Sequence, residues 1–195
     1  MGQYFENQDL PSNIRKTECV VLGHKFIFNT DNGVFSKDGL DFGSRLLLES
    51  IPLEEVGGKV LDVGCGYGVL GIIINKLTSC HVDMIDVNLR ALHLTEMNIK
   101  ENHCSNINVF ESNVYEMVES KYSSIITNPP IRAGKKVVYD IVMNAHNYLE
   151  KNGRLFLVIR KEQGAKSLIS DLEKEYTVKI LNKEKGFFIL ECSVL

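Results

Sequence analysis

The chain lacks the features that would direct it to a membrane, to a secretory route or onto nucleic acid by bulk charge. No stretch approaches the ~20 consecutive apolar residues of a membrane span, and the opening "MGQYFENQDLPSNIRK" has no apolar core of a leader. Glu6 stands where a myristoylation signal beginning at Gly2 would need Ser or Thr, so lipidation is not expected. Positive charge is not in excess either. The formal net charge is −3, which argues against coating a polyanion through total charge and leaves room only for a local basic patch. Cys19, Cys65, Cys80, Cys104 and Cys192 are odd in number and scattered, with no C-x-x-C, so neither a disulfide framework nor a zinc module is favoured and a reducing cytosol fits best. His24, His81, His93, His103 and His146 show no zinc-ligand spacing, and no metal is expected. There is no internal repeat, low-complexity tract or linker. A single soluble, cytoplasmic domain spanning 1–195 is the expectation, in keeping with 44% hydrophobic and 24% charged residues.

What is present is a regular alternation of strand-like and helix-like segments. Residues 1 to about 18 read as polar and irregular, and "ECVVLGHKFIFNTDNGVFS" reads as two short strands around Gly23 followed by a turn at "TDNG". "DGLDFGSRLLLES" carries Leu40, Leu46, Leu47 and Leu48 into a short helix that stops before Pro52. Residues 1–57 thus form a lead-in. From residue 58 the apolar runs "KVLDVG", "HVDMIDV", "INVFES" and "SSIIT" are of strand length, and helical stretches separate most of them, a pattern that implies an α/β fold with a doubly wound, mainly parallel sheet. Val137, Val138, Ile141, Val142, Ala145, Tyr148 and Leu149 make one apolar helical stripe. "RLFLVIR" is a further buried strand, "EQGAKSLISDLEKE" a further helix, and "TVKILN" and "GFFILECSV" a closing hairpin joined at "KEK" and Gly186.

Two motifs carry chemistry. "LDVGCGYGVLG" sets Gly64, Gly66 and Gly68 directly after a strand and before a helix, where a bare backbone can turn sharply and approach a ligand. Gly66, Gly68 and Gly71 also satisfy G-x-G-x-x-G with Asp86 twenty positions beyond Gly66, so a dinucleotide is one reading. Asp62 opposes it, because a carboxylate at the strand end repels a pyrophosphate and suits a ligand carrying an ammonium or a sulfonium, as S-adenosylmethionine does. Asp86 can accept from ribose hydroxyls under either reading, and Asn113 in "ESNV" can meet an adenine edge. Each residue also has a plain structural use: Asp62 as a helix-dipole partner, Asp86 or Asn88 as an N-cap, Asn113 in a turn. The second motif is "TNPPIRAG" at the end of "SSIIT". Two prolines stop strand pairing and hold Asn128 rigidly at a strand's carboxyl end, as a turn or as a site.

On these residues the chain resembles the class I S-adenosylmethionine-dependent methyltransferases of the small-domain superfamily, and within them the bacterial 16S ribosomal RNA guanine-N2 methyltransferases. The stretches carrying the likeness are "GVFSKDGLDFGSRLLLE", "VLDVGCGYGVLG", "IDVNLRAL", "ESNV" and "TNPPIRAGK". The resemblance implies a seven-stranded sheet, ordered 3-2-1-4-5-7-6 from the first sheet strand, with the last strand antiparallel and a small β lead-in in front of a cofactor-binding catalytic core at 58–195. It implies S-adenosylmethionine as cofactor, held by Asp62, Gly64, Gly66, Gly68, Asp86, Asn113 and Asn128. Asn128, Pro129 and Pro130 would hold the target amine. The partner implied is ribosomal RNA or the small ribosomal subunit.

Two departures from the family pattern stand out. Ile131 occupies the place of an aromatic that stacks on the target base in many relatives, and Asn113 replaces a common Asp. Arg132, Lys135 and Lys136 beside the motif would bind substrate phosphates, with Arg15, Lys16, Lys25 and Arg45 joining them if the lead-in folds over the pocket. The same chemistry would serve adenine N6 or a protein glutamine. A non-catalytic RNA module is the further alternative, disfavoured by intact Asp62, Asp86 and Asn128.

Overall fold

The structure, a computed structural model, describes residues 11–195. The polar opening of the chain, with Gly2 and Glu6, lies outside the described residues. Strands β1 (Arg15–Val21) and β2 (His24–Thr30) pair as an antiparallel hairpin in register Arg15↔Thr30 to Val21↔His24. Residues 15–18, expected to be irregular, therefore belong to a strand. Their polar side chains hid this, because the hairpin buries one face only, at Val21, Phe26 and Phe28.

The main sheet contains β3 (Lys59–Val63), β4 (His81–Asp86), β5 (Ile107–Glu111), β6 (Tyr122–Thr127), β7 (Leu149–Arg160), β8 (Tyr176–Glu184) and β9 (Phe187–Val194), in the order β5-β4-β3-β6-β7-β9-β8. Counted from β3, that is 3-2-1-4-5-7-6. Strand β9 is antiparallel to both its neighbours and the rest pair in parallel. Because both faces are covered, the inner strands are largely apolar, yet their side chains still alternate. Val60, Val82, Met84, Ile126, Phe156 and Val158 face one core, and Leu61, Ile85, Ile125, Leu155 and Leu157 face the other. Helices α1 (Phe42–Ser50), α2 (Val69–Thr78) and α3 (Leu89–Glu101) cover the first face. Helices α4 (Lys135–Asn144) and α5 (Ala165–Leu172) cover the second.

Two sequence boundaries shift. The apolar stripe after Gly134 does not stay helical to Leu149: α4 ends at Asn144, residues 145–148 form a 3-10 turn, and Leu149 pairs with Tyr122 as the first residue of β7. The register is then irregular until Arg154 meets Ser124. The closing hairpin turns on Lys185 and Gly186 alone, both at positive φ, 48° and 81°, the two-residue turn that matches strand twist.

Hairpin β1–β2 is fastened by side-chain amides rather than by a third strand. Asn102 accepts from Ile27 N at 3.0 Å and donates to Ile27 O at 2.7 Å, and Asn98 does the same for Asn29 at 2.6 and 3.0 Å. Asn98 also donates to Tyr67 O at 2.8 Å, which ties the lead-in to the glycine loop.

Candidate active site

The loops that leave the carboxyl ends of β3, β4, β5, β6 and β7 surround a cavity of about 410 Å³, closed from the side by residues 34–36, the start of α1 and Phe187. This is the crevice in which open α/β sheets bind ligands, and its size suits a small organic molecule.

Its floor is the glycine loop. Gly64 N and Cys65 N both donate to Ile85 O at 2.9 Å, so the loop is pinned to the end of β4. Gly64, Gly66 and Gly68 all have positive φ. At Gly68, the N-cap of α2, any side chain is excluded, since a Cβ would stand 2.8 Å from Thr95 Cγ2 and 2.9 Å from Ile72 Cδ1. Asp86 closes the loop from the neighbouring strand, accepting from Gly66 N and Asn88 N at 2.9 Å each. Each oxygen keeps a lone pair for a further donor. Burial lifts the Asp86 pKa above its ordinary value against the pull of these amides. Asn88, not Asp86, caps α3, accepting from Arg90 N and Ala91 N.

Asp62 stands behind the wall. It is not among the cavity-lining residues, is 1% exposed, and accepts from Gly71 N at 2.9 Å in the first turn of α2. That is the helix-partner use left open by the sequence. Its other oxygen, Oδ1, is one of two buried side-chain acceptors without a hydrogen bond among the described residues. Burial, with the Asp86 charge nearby, pushes its pKa up to about 7. A buried acceptor without a donor, one residue layer from a glycine loop, fits a ligand that brings a cation to that end of the cavity.

The wall above the loop is Asn128-Pro129-Pro130. Thr127 Oγ1 donates to Val63 O at 2.8 Å and Pro130 packs over Gly64, so this motif and the glycine loop are held face to face. The Asn128 amide nitrogen donates to Ser44 Oγ at 2.9 Å and lies 3.4 Å from Asp41 Oδ1. Asp41 is itself the N-cap of α1, accepting from Ser44 N at 3.0 Å. With its N–H₂ committed to α1, the amide turns Oδ1 away from the helix, and among the described residues no protein donor reaches that oxygen. The following 3-10 turn uses the carbonyl of Pro130, which accepts from Ala133 N at 2.9 Å, and leaves the Pro129 carbonyl out.

The other sequence candidates divide. Asn113 lines the cavity after β5, its amide donating to Glu116 at 2.8 Å. Ile131 and Arg132 line it on the β6 side. Lys135 lines a smaller neighbouring cavity of about 210 Å³ and sits 4.8 Å over the Tyr139 ring, while Lys136 is exposed and lines neither. Arg15, Lys16, Lys25 and Arg45 do not reach the site. Each lies within 4.0 Å of an acid, respectively Asp38, Glu101, Glu18 and Glu49. The lead-in does close the cavity, but through Val34, Phe35 and Ser36.

Residues not singled out from the sequence complete the site: Asp41 and Ser44, which orient Asn128, and Phe42, Phe187, Arg160 and Gln163 on the cavity wall. Asp41 was readable as a helix cap before an apolar run. Phe187 was not, since only the antiparallel return of β9 carries it there.

The strand order, the reversed last strand and a glycine loop beneath an acidic strand end define the class, an S-adenosylmethionine-dependent methyltransferase. The sequence profile of the methyltransferase small domain matches residues 25–191. The chain belongs to that family, and its cofactor is S-adenosylmethionine. It is 41% identical over 192 residues to an uncharacterized protein, YbxB, of Bacillus subtilis, covering 96% of each chain. It is 32% identical over 187 residues to the ribosomal RNA small subunit methyltransferase C of Psychromonas ingrahamii, covering 93% of this chain and 50% of that one. The T. thermophilus 16S rRNA N2 G1207 methyltransferase, solved with AdoMet and guanosine, superposes with a TM-score of 0.84 at 27% identity, over 97% of this chain and 53% of that one. The chain thus spans about half the length of these ribosomal RNA methyltransferases.

Proposed function

We propose that this chain methylates the exocyclic N2 amine of a guanine in small-subunit ribosomal RNA. The observation that carries the proposal is the held Asn128 amide: Ser44 and Asp41 take its nitrogen, which leaves Oδ1 as the open acceptor of a residue that lines the cavity together with Pro129. S-adenosylmethionine, when bound, supplies an electrophilic methyl group on a sulfonium. The residues that would hold it are the glycine loop at Gly64, Gly66 and Gly68, Asp86 as an acceptor for hydroxyls, Asn113 as a hydrogen-bonding side chain, and Asp62 as the charge behind the loop.

The lone pair of a planar ring amine is delocalised into the ring. Asn128 Oδ1 and Pro129 O would accept its two hydrogens, orient the nitrogen, and stabilise the positive charge that develops as the N–C bond forms and the S–C bond breaks, with S-adenosylhomocysteine leaving. No strong base is needed, because the methylated nitrogen sheds its proton to water. Arg132 and Lys135 are assigned to phosphates of the RNA.

The same two acceptors would hold adenine N6 or a glutamine amide. Guanine is favoured by the relatives named for small-subunit ribosomal RNA and for guanine N2. The partner proposed is ribosomal RNA or the small ribosomal subunit, in the cytoplasm. Mapping methylated nucleosides in ribosomal RNA from cells with and without the protein tests the reading. One N2-methylguanosine that disappears with the gene supports it, and unchanged RNA with a newly unmethylated protein glutamine overturns it.

A further inference from the structure

Ile131 leaves the amine-holding motif without an aromatic neighbour in sequence, and the fold brings two from elsewhere. Phe42, the first residue of α1, lies two positions before Ser44, which holds Asn128. Phe187, the first residue of β9, meets it with ring centroids 5.3 Å apart and planes tilted by 55°. Both line the cavity that Asn128, Pro129 and Pro130 line. The approach is close enough that a Cβ at Gly43 would stand 2.9 Å from Phe187 Cε1, so the bare backbone there is what admits the ring.

The pair is also ringed by positive charge. Lys185 Nζ lies 4.5 Å from the Phe42 centroid and Arg160 Cζ 4.9 Å from that of Phe187. The acidic neighbours of these cations, Glu184 at 3.6 Å and Glu162 at 3.7 Å, are about half or more exposed and so screen them weakly. Two rings beside the amine-holding acceptors, bordered by two cations, match a nucleotide: a flat base to stack and a phosphate to pair.

We propose that Phe42 and Phe187 form the platform on which the target nucleobase stacks while Asn128 and Pro129 hold its amine, with Lys185 and Arg160 moving from the rings onto the flanking phosphates. The inference rests on a nucleobase substrate as proposed above, and supplies from α1 and β9 the aromatic surface that position 131 lacks. The two rings share one cavity wall, so their losses are not independent.

The direct test is fluorescence quenching of 2-aminopurine riboside, which carries the same 2-amine and dims when stacked, by protein saturated with S-adenosylhomocysteine. Wild type should quench it, Phe42→Leu and Phe187→Leu should weaken binding by about 5-fold or more, and Phe42→Tyr should retain it. Absence of quenching by wild type, or Leu variants that quench as well as wild type, overturns the platform. Methylation of small ribosomal subunits from cells lacking the protein separates the two readings. RNA methylated by wild type and by both Leu variants with kcat/KM within about twofold removes the platform alone. If wild type methylates no RNA, the substrate reading falls and takes the platform with it.

Discussion

Two buried aspartates on adjacent strands of one sheet have opposite surroundings. Asp83, on β4, is 3% exposed and takes four side-chain donors: Lys59 Nζ at 2.8 Å, His81 Nε2 at 2.7 Å, Tyr122 OH at 2.7 Å and Asn108 Nδ2 at 2.9 Å. Burial would raise its pKa, but these donors outweigh it and hold the carboxyl below its ordinary value. Asp62, on β3, is 1% exposed, has one amide donor and an orphan oxygen, and its pKa stands at about 7. Asp83 is fully satisfied by the fold, whereas Asp62 beside the glycine loop is one donor short, which is the feature the proposed cofactor role draws on.

The largest break in that comparison should come from Asp83→Ala. Removing the shared acceptor leaves Lys59 and the Tyr122 hydroxyl without their carboxylate, at a cost of about 2–4 kcal/mol in urea unfolding, while cofactor affinity at low temperature stays unchanged. Asp62→Asn should do the reverse, leaving the fold intact and changing how stability responds to pH. In the ligand-free wild type, a folded-state pKa near 7 against an ordinary 3.8 means that the folded chain holds this proton more tightly than the unfolded one. The contribution is therefore most favourable below about pH 4 and declines as pH rises toward 7. Melting temperatures of Asp62→Asn at about pH 5 and about pH 8 should differ less than those of wild type. Asp83 acts with the opposite sign, its contribution being lost as pH falls.

Smaller effects sharpen the contrast between holding and reacting. Ser44→Ala frees one N–H of Asn128 and leaves its Oδ1 and the glycine loop unaltered, so kcat should fall by about 10-fold with cofactor affinity unchanged, and Ser44→Thr should restore it. Arg132→Ala and Lys135→Ala should raise KM for RNA and reduce the slope of log affinity against log salt by about one unit for each phosphate left unpaired.

Much of the site was legible because it is local. "LDVGCGYG" carries its own turn, strand end and helix start, and "TNPP" its own rigidity, so Gly64, Gly66, Asn128 and Pro129 were found where the cavity is. Strand positions followed from apolar runs, since both faces of the sheet are covered, and the final hairpin followed from its short turn. What could not be read depends on partners far apart in the chain. Asn128 meets Ser44 across 84 positions, and Lys16 is taken by Glu101 across 85, which removed it from the site. The hairpin's anchorage through Asn98 and Asn102 leaves no period in the sequence, because a side-chain amide takes the place of a strand edge. Asp62 was legible as an acid at a strand end, but not its position behind the loop.

The central claim, that Asn128 orients the amine for transfer, is tested most directly by single-turnover methylation of small ribosomal subunits with Asn128→Ala. This change removes one of two acceptors and leaves the prolines and the glycine loop in place. The rate of methyl transfer should fall by about 100-fold or more while S-adenosylmethionine binds as tightly as to wild type. A variant that transfers methyl at the wild-type rate would reduce the motif to a rigid turn at the end of β6 and contradict the assignment.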